Sequence, residues 1–376
     1  MHLMYAAEVP DYARLTTLVE SVNRRELAGR DGLDYASAES VAAVSQQRHG
    51  AIRVGKAEER RKLKGLFALF GLYPVGFYDL APAGLPVFST AFRPVGPEEL
   101  MRSPFRVFCS LLRPELIDDD RLRRQAQATL ADREIFSEKL SALIEKAEKA
   151  GGVPEEDAEA LVTESLEVFR WHEQARVSVE LYEDLLQSHR LVADIVSFHG
   201  PHINHLTPAT LDIDAVQRGM QNLGLRAKAQ IEGPPHRTCP ILLRQTAFQA
   251  IDEAVSFPSA AGDQIRGSHT ARFGEVEQRG AALTPKGRAL YDECLAAAQA
   301  AYKSRAKASA PEPYETKLAR AFDCFPDTWA QLLEGGLAYF RFSLAEGVDP
   351  ASLRGKDWQS MASVCKAVRE GLLMAT

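Results

Sequence analysis

Between Asp11 and Leu27 the apolar positions Leu15, Leu18, Val19 and Val22 recur at threes and fours, which predicts a helix with one buried face. The pattern then changes. His49–Val54 is a compact β-favouring segment, and Lys56–Phe70 after it reads as a charged helix. Leu85–Val95 and Phe105–Leu112 are rich in Phe and Val and bounded by proline, so they are expected to be strands. From about Asp118 to Phe198 the spacing is helical throughout. Leu140, Leu143 and Ile144, then Leu161, Leu166 and Phe169, then Leu181, Leu185 and Leu191 repeat at helical intervals among many charges. Gly151-Gly152-Val153-Pro154 punctuates this stretch, and Pro154 suits the first turn of the helix that follows.

Strand signals return at Ile203–Leu206, Ile241–Thr246 and Thr270–Gln278. Pro285–Ala306 predicts a long helix, opened by Thr284-Pro285 as N-cap and first helical residue. Ala310-Pro311-Glu312-Pro313 breaks the chain, Leu337–Phe342 reads as a last strand and Trp358–Leu373 as a last helix. The resulting expectation is an α+β protein forming a single catalytic unit over residues 1–376. Within it, 1–117 would be a first β-containing half, 118–198 a helical insertion or cap, and 199–376 a second β-containing half with C-terminal helices. There is no close internal repeat.

Composition narrows the function classes. With 45% hydrophobic and 26% charged residues in 376, the chain has the makeup of an ordinary folded protein. A net charge of −6, no basic tail, and Lys and Arg interleaved with Glu and Asp argue against nucleic acid as a partner. The five cysteines (Cys109, Cys239, Cys294, Cys324 and Cys365) are scattered without a CxxC, which suits a reducing compartment better than a disulfide scaffold or cysteine zinc site. Met1–Pro10 lacks the pattern of a signal peptide, so a cytoplasmic location is expected. The longest apolar run, Leu63–Phe77, is interrupted by Lys64, Gly65, Gly71 and Pro74 and is too short to span a bilayer, so no membrane partner is expected.

Three polar-in-strand segments could carry chemistry. In Arg48-His49-Gly50-Ala51-Ile52-Arg53-Val54, the period of two places His49, Ala51 and Arg53 on one face. A buried core histidine with a paired arginine would explain that as well as a site would. Phe198-His199-Gly200-Pro201-His202-Ile203-Asn204-His205-Leu206-Thr207-Pro208 holds three histidines. If Ile203–Thr207 is extended, His202 and His205 face opposite ways, and His205 is the better ligand candidate while His199 and His202 belong to a loop. In Arg272-Phe273-Gly274-Glu275-Val276-Glu277-Gln278-Arg279-Gly280, Glu275 and Glu277 share a face, and a carboxylate in such a strand needs a cation or a metal. Two histidines and a carboxylate on strands match the ligand set that leaves open positions on Fe(II).

These segments resemble the signatures of the 2-oxoadipate dioxygenase/decarboxylase family, also called 2-hydroxyglutarate synthases. Phe70-Gly71-Leu72-Tyr73-Pro74-Val75-Gly76-Phe77-Tyr78-Asp79-Leu80, Leu243-Arg244-Gln245-Thr246 and Leu337-Ala338-Tyr339-Phe340-Arg341-Phe342 support the match, which runs from about residue 10 to the end. The family is similar to the vicinal oxygen chelate enzymes, whose paired βαβββ units wrap a half-open barrel around a metal. The resemblance implies Fe(II) bound by His49, His205 and Glu275, and Arg53 holding the substrate, with Arg244, Gln245 and Thr246 near the site wall. Glu275 is preferred to Glu277 because Glu-Val-Glu-Gln-Arg is similar to the Glu-Ile-Ile-Gln-Arg of 4-hydroxyphenylpyruvate dioxygenase relatives, in which the first Glu binds iron. The implied reaction takes 2-oxoadipate, a small 2-oxo dicarboxylic acid, and O2 to 2-hydroxyglutarate and CO2, in lysine breakdown. Two other classes stand beside it: a glyoxalase-type isomerase or lyase on the same scaffold, and a non-catalytic helical binding protein.

Overall fold

The β-favouring segment around His49 becomes the strand about which the main sheet is arranged. In a computed structural model that describes residues 1–29, 38–259, 262–303, 313–354 and 361–375, the strands in chain order are β1 (Gln47–Val54), β2 (Tyr73–Asp79), β3 (Val87–Arg93), β4 (Arg106–Leu112), β5 (His205–Pro208), β6 (Leu243–Ala247), β7 (Asp252–Pro258), β8 (Gln264–Thr270), β9 (Phe273–Arg279), β10 (Phe342–Leu344) and β11 (Leu373–Ala375). β1 pairs in parallel with β4, and β3 and then β2 continue the sheet antiparallel on that side. On the other side β5 is antiparallel to β1, and β9 is parallel to β5. β7 and β8 form a separate hairpin.

The chain divides into two compact units. One comprises Met1–Lys228 and Ala247–Val276, the other Ala229–Thr246 and Glu277–Thr376. The seams expected at 117 and 198 both fall inside the first unit, and the physical reason is a shared core. Helices Asp120–Ala131, Glu138–Ala150, Glu155–Phe169, Val179–Ser188 and Arg190–Ser197 occupy the predicted helical stretch. Their starts are fixed locally: Asp119, Ser137 and Ser178 accept hydrogen bonds from backbone N–H groups of the first turns. Leu122, Ala126, Leu130, Leu185 and Val192 from this layer pack in one buried cluster with Val87 and Leu112 of β3 and β4 and Val255 and Phe257 of β7. An amphipathic helix must bury its apolar stripe somewhere, and here the strands supply the surface.

In the second unit the helix Pro285–Lys303 begins as predicted, with Thr284 Oγ1 accepting from Gly287 N at 3.1 Å. Its expected last residues 304–306, the break at 310–312 and the start of the last helix at 358–360 lie outside the described residues. The described part of that last helix is Met361–Arg369. Leu337–Phe342 is not the strand its composition suggested. Among the described residues its pairing is an isolated bridge, Leu283 to Ala338, and strand geometry begins at Phe342. Leu337 and Ala338 are apolar because they are buried with Tyr291, Leu318 and Leu332, a packing role that needs no β-ladder. Several described elements escaped the sequence reading, among them β2, the β7–β8 hairpin and the helices Ala38–Ser45, Ile213–Asn222, Tyr314–Ala321 and Trp329–Glu334. Among the described residues no helix is long and apolar enough to cross a membrane.

Candidate metal centre

β1, β5 and β9 are neighbours, and each carries one ligand candidate. Ala51 lies opposite His205 and His49 opposite Thr207, while His205 lies beside Phe273 in the parallel pairing. Side chains alternate along each strand, so His49, Ala51, Arg53, His205, Thr207, Phe273 and Glu275 project from the same face. One ligand atom each from His49, His205 and Glu275 lie within 4.8 Å of one another. His49 Nε2 is 2.9 Å from Glu275 Oε1. The Thr207 hydroxyl donates to the same Glu275 oxygen at 3.1 Å and sits 3.2 Å from His49 Nε2, tying two of the candidates together. The two imidazoles meet nearly at right angles with centroids 5.5 Å apart. Phe273 stacks on His205 and Phe108 meets His49 edge-on, which fixes both rings. Gly274 lets β9 lie close to its support, since a Cβ there would fall 2.4 Å from Phe248 and 2.9 Å from Leu15.

Burial lowers the His205 pKa to about 3, so its ring is neutral and its lone pair is free for a metal. Its Nδ1 is buried and has no hydrogen-bond partner among the described residues. Burial alone would raise the Glu275 pKa, but the hydrogen bond from His49 and the two neighbouring imidazoles bring it below the ordinary carboxylate value. A neutral imidazole with an orphan nitrogen, a second imidazole and an ionised carboxylate make a donor set that fits a divalent metal.

The other predicted residues have different surroundings. Arg53, two positions past Ala51 on the site face, ion-pairs with Asp194 through Nη1 at 2.5 Å. His202 is buried and lies on Asp194 at 3.1 Å, away from the ligand set, and His199 packs against His172. Glu277 is buried in the second unit and ion-pairs with Arg279. Arg244, Gln245 and Thr246 also belong to the second unit. There Arg244 Nε donates to Pro234 O at 3.1 Å, and Gln245 exchanges backbone hydrogen bonds with Glu232. Sequence reasoning missed Thr207 and Asp194. Thr207 was readable from the period of two that places it on the face of His205. Asp194 was readable as a single carboxylate inside the apolar run Leu191-Val192-Ala193-Asp194-Ile195-Val196.

The sheet and its candidate ligand cluster define the class first. A solved structure of a putative glyoxalase superfamily protein from Ralstonia eutropha matches with a TM-score of 0.52 at 18% identity, covering 72% of this chain and 96% of that chain. The fold is thus a mixed α+β architecture shared with that protein, here with a candidate metal site on the sheet. More particularly, the chain belongs to the 2-oxoadipate dioxygenase/decarboxylase family, whose family model matches residues 1–376. A 2-oxoadipate dioxygenase/decarboxylase from Pseudomonas putida is 52% identical over 348 residues, which is 92% of this chain and 75% of that protein. The crystal structure of the hydroxyglutarate synthase from Pseudomonas putida in complex with 2-oxoadipate matches with a TM-score of 0.84 at 45% identity, covering 100% of this chain and 83% of that chain.

Proposed function

We propose that the chain is an Fe(II)-dependent oxidoreductase that converts 2-oxoadipate and O2 to 2-hydroxyglutarate and CO2. The observation that carries this reading is the convergence of His49, His205 and Glu275 from three adjacent strands, in a chain of this family. The likeness to the glyoxalase-type fold supports placing that metal on the inner face of a half-open barrel of the vicinal oxygen chelate type. Fe(II) would supply the redox chemistry by which O2 reacts with the bound 2-oxo acid. The reaction balances: one carbon leaves as CO2, one oxygen atom joins the new carboxylate and the other the hydroxyl beside it.

The protein's part is ligation and orientation. His205 presents a neutral ring because burial disfavours its protonated form. Thr207 holds Glu275 and His49 in register, so the ligands are set before substrate arrives. Arg53, on the same face, takes the distal carboxylate of the substrate through the fork of its guanidinium. That contact selects a dicarboxylic acid over a monocarboxylic one of equal length.

The test is protein purified without air, loaded with Fe(II), and supplied with a panel of 2-oxo acids while O2 uptake and CO2 release are followed. Equal uptake and release on 2-oxoadipate, with 2-hydroxyglutarate formed, is the expected result. Turnover of a carbonyl substrate without O2 uptake would make the chain an isomerase or lyase, and the oxidative reading would fall.

A further inference from the structure

Arg53 is paired with a buried carboxylate, Asp194. Asp194, 4% exposed, lies in the helix Arg190–Ser197 and receives four donors. His269 Nε2 at 2.8 Å and His202 Nε2 at 3.1 Å lie on its Oδ1. Arg53 Nη1 at 2.5 Å and Asn204 Nδ2 at 3.3 Å lie on its Oδ2. The Tyr182 hydroxyl is 2.9 Å from His269 Nδ1, which fixes the nitrogen that faces the carboxylate. Trp171 stacks parallel on His269 and meets His202 edge-on, so neither imidazole can turn away.

We propose that Asp194 is a positioning residue that holds the Arg53 guanidinium in the orientation that receives the distal carboxylate of the 2-oxo dicarboxylic substrate. The inference rests on the substrate-binding role given to Arg53 above. Three features carry it. First, a carboxylate with both oxygens saturated by ordered donors is a rigid anchor, and an arginine side chain otherwise has considerable rotamer freedom to lose on binding. Second, Asp194 engages Nη1, and the guanidinium side chain, 20% exposed, has further N–H groups for a second carboxylate. Third, Asn204 immediately precedes the ligand candidate His205, so one carboxylate is bonded both to the substrate arginine and to the residue next to a metal ligand. Asp194 thereby sets the position of Arg53 relative to β5. Stability is a weaker explanation of the pair, because a buried ion pair commonly gains little over apolar packing of the same volume.

The experiment compares 2-oxoadipate with 2-oxohexanoate, which lacks the distal carboxylate, on Fe(II)-loaded native protein, Asp194→Asn, Arg53→Ala and the double variant, with iron content measured for each. Asp194→Asn is expected to lose about 10- to 100-fold in kcat/KM on 2-oxoadipate. The loss should appear mainly in KM, with iron content and activity on 2-oxohexanoate little changed. In the Arg53→Ala background the same substitution should add no further loss on 2-oxoadipate, because the role proposed for Asp194 in substrate binding runs through that side chain. Equal losses on both substrates, loss of iron, or an additive loss in the double variant would overturn the positioning role. If Arg53→Ala discriminates between the substrates and Asp194→Asn does not, the positioning role falls while that of Arg53 stands. If Arg53→Ala itself falls equally on both substrates, the distal-carboxylate role fails and the inference fails with it. Should Asp194→Asn not yield folded protein, His269→Gln is judged by the same two-substrate criterion, a selective loss supporting the role and an unselective one refuting it.

Discussion

At the scale of single residues, the candidate ligand set owes its character to enclosure. His205 cannot easily take a proton in its buried position, and Glu275 stays ionised because His49 and Thr207 bond to it. His49→Ala, His205→Ala and Glu275→Ala are each expected to abolish activity and sharply reduce bound iron while circular dichroism stays near native. Glu277→Ala should retain its iron, since its carboxylate is paired with Arg279. Retention by Glu275→Ala and loss by Glu277→Ala, read by elemental analysis, would reverse the carboxylate assignment. Arg53→Ala should cost on the order of 2–5 kcal/mol on 2-oxoadipate, or roughly 30- to several-thousand-fold in kcat/KM. Activity on 2-oxohexanoate should suffer much less, because that substrate never makes the contact. Arg53→Lys should recover only part, as an ammonium lacks the planar fork.

At the scale of elements, the site depends on how closely three strands approach and on what supports them. Gly274 sits where a Cβ would meet Phe248 and Leu15, on the opposite face of β9 from Glu275. Gly274→Ala should therefore destabilise the protein by about 1–3 kcal/mol and weaken metal binding by displacing β9, checked by urea unfolding and metal titration. The helical layer makes a contrasting case. Leu185 is fully enclosed in the cluster it forms with β3, β4 and β7, so Leu185→Ala should cost about 2–5 kcal/mol. Because it touches no ligand, bound iron per folded molecule should be unchanged. The strands that carry the ligand candidates were legible, since a period of two with a polar residue on one face reads directly from the sequence. β2 was not. Tyr73, Val75, Phe77 and Tyr78 are all exposed, so there is no alternation of buried and exposed positions to mark that strand.

At the scale of the whole molecule, metal binding at the candidate centre would be linked to folding. A ligand that binds only the folded state stabilises it by about 2.7 kcal/mol at a hundredfold excess over its Kd. Anaerobic Fe(II) loading should accordingly raise Tm in calorimetry, chelation should reverse the rise, and Glu275→Ala should show no increment. An equal increment in Glu275→Ala would mean that iron stabilises the protein from somewhere else. The division of the chain also emerges only at this scale. The expected seams at 117 and 198 follow a change of periodicity, yet core formation joins the segments on either side of them into one unit.

The sequence by itself determined most of the longer strands and helices, the candidacy of His49, His205 and Glu275, and the family to which they point. Those features are local: a helix or strand records its buried face in its own spacing, and a ligand must be a particular residue type wherever it sits. The tertiary structure decided which strands lie side by side, that Thr207 bonds to two of the ligand candidates, and that His202 serves Asp194 rather than those candidates. It also decided that Arg53 meets a carboxylate 141 positions away. Pairings of that kind leave no periodic trace, because each depends on the register between strands and on which helix the core draws against them.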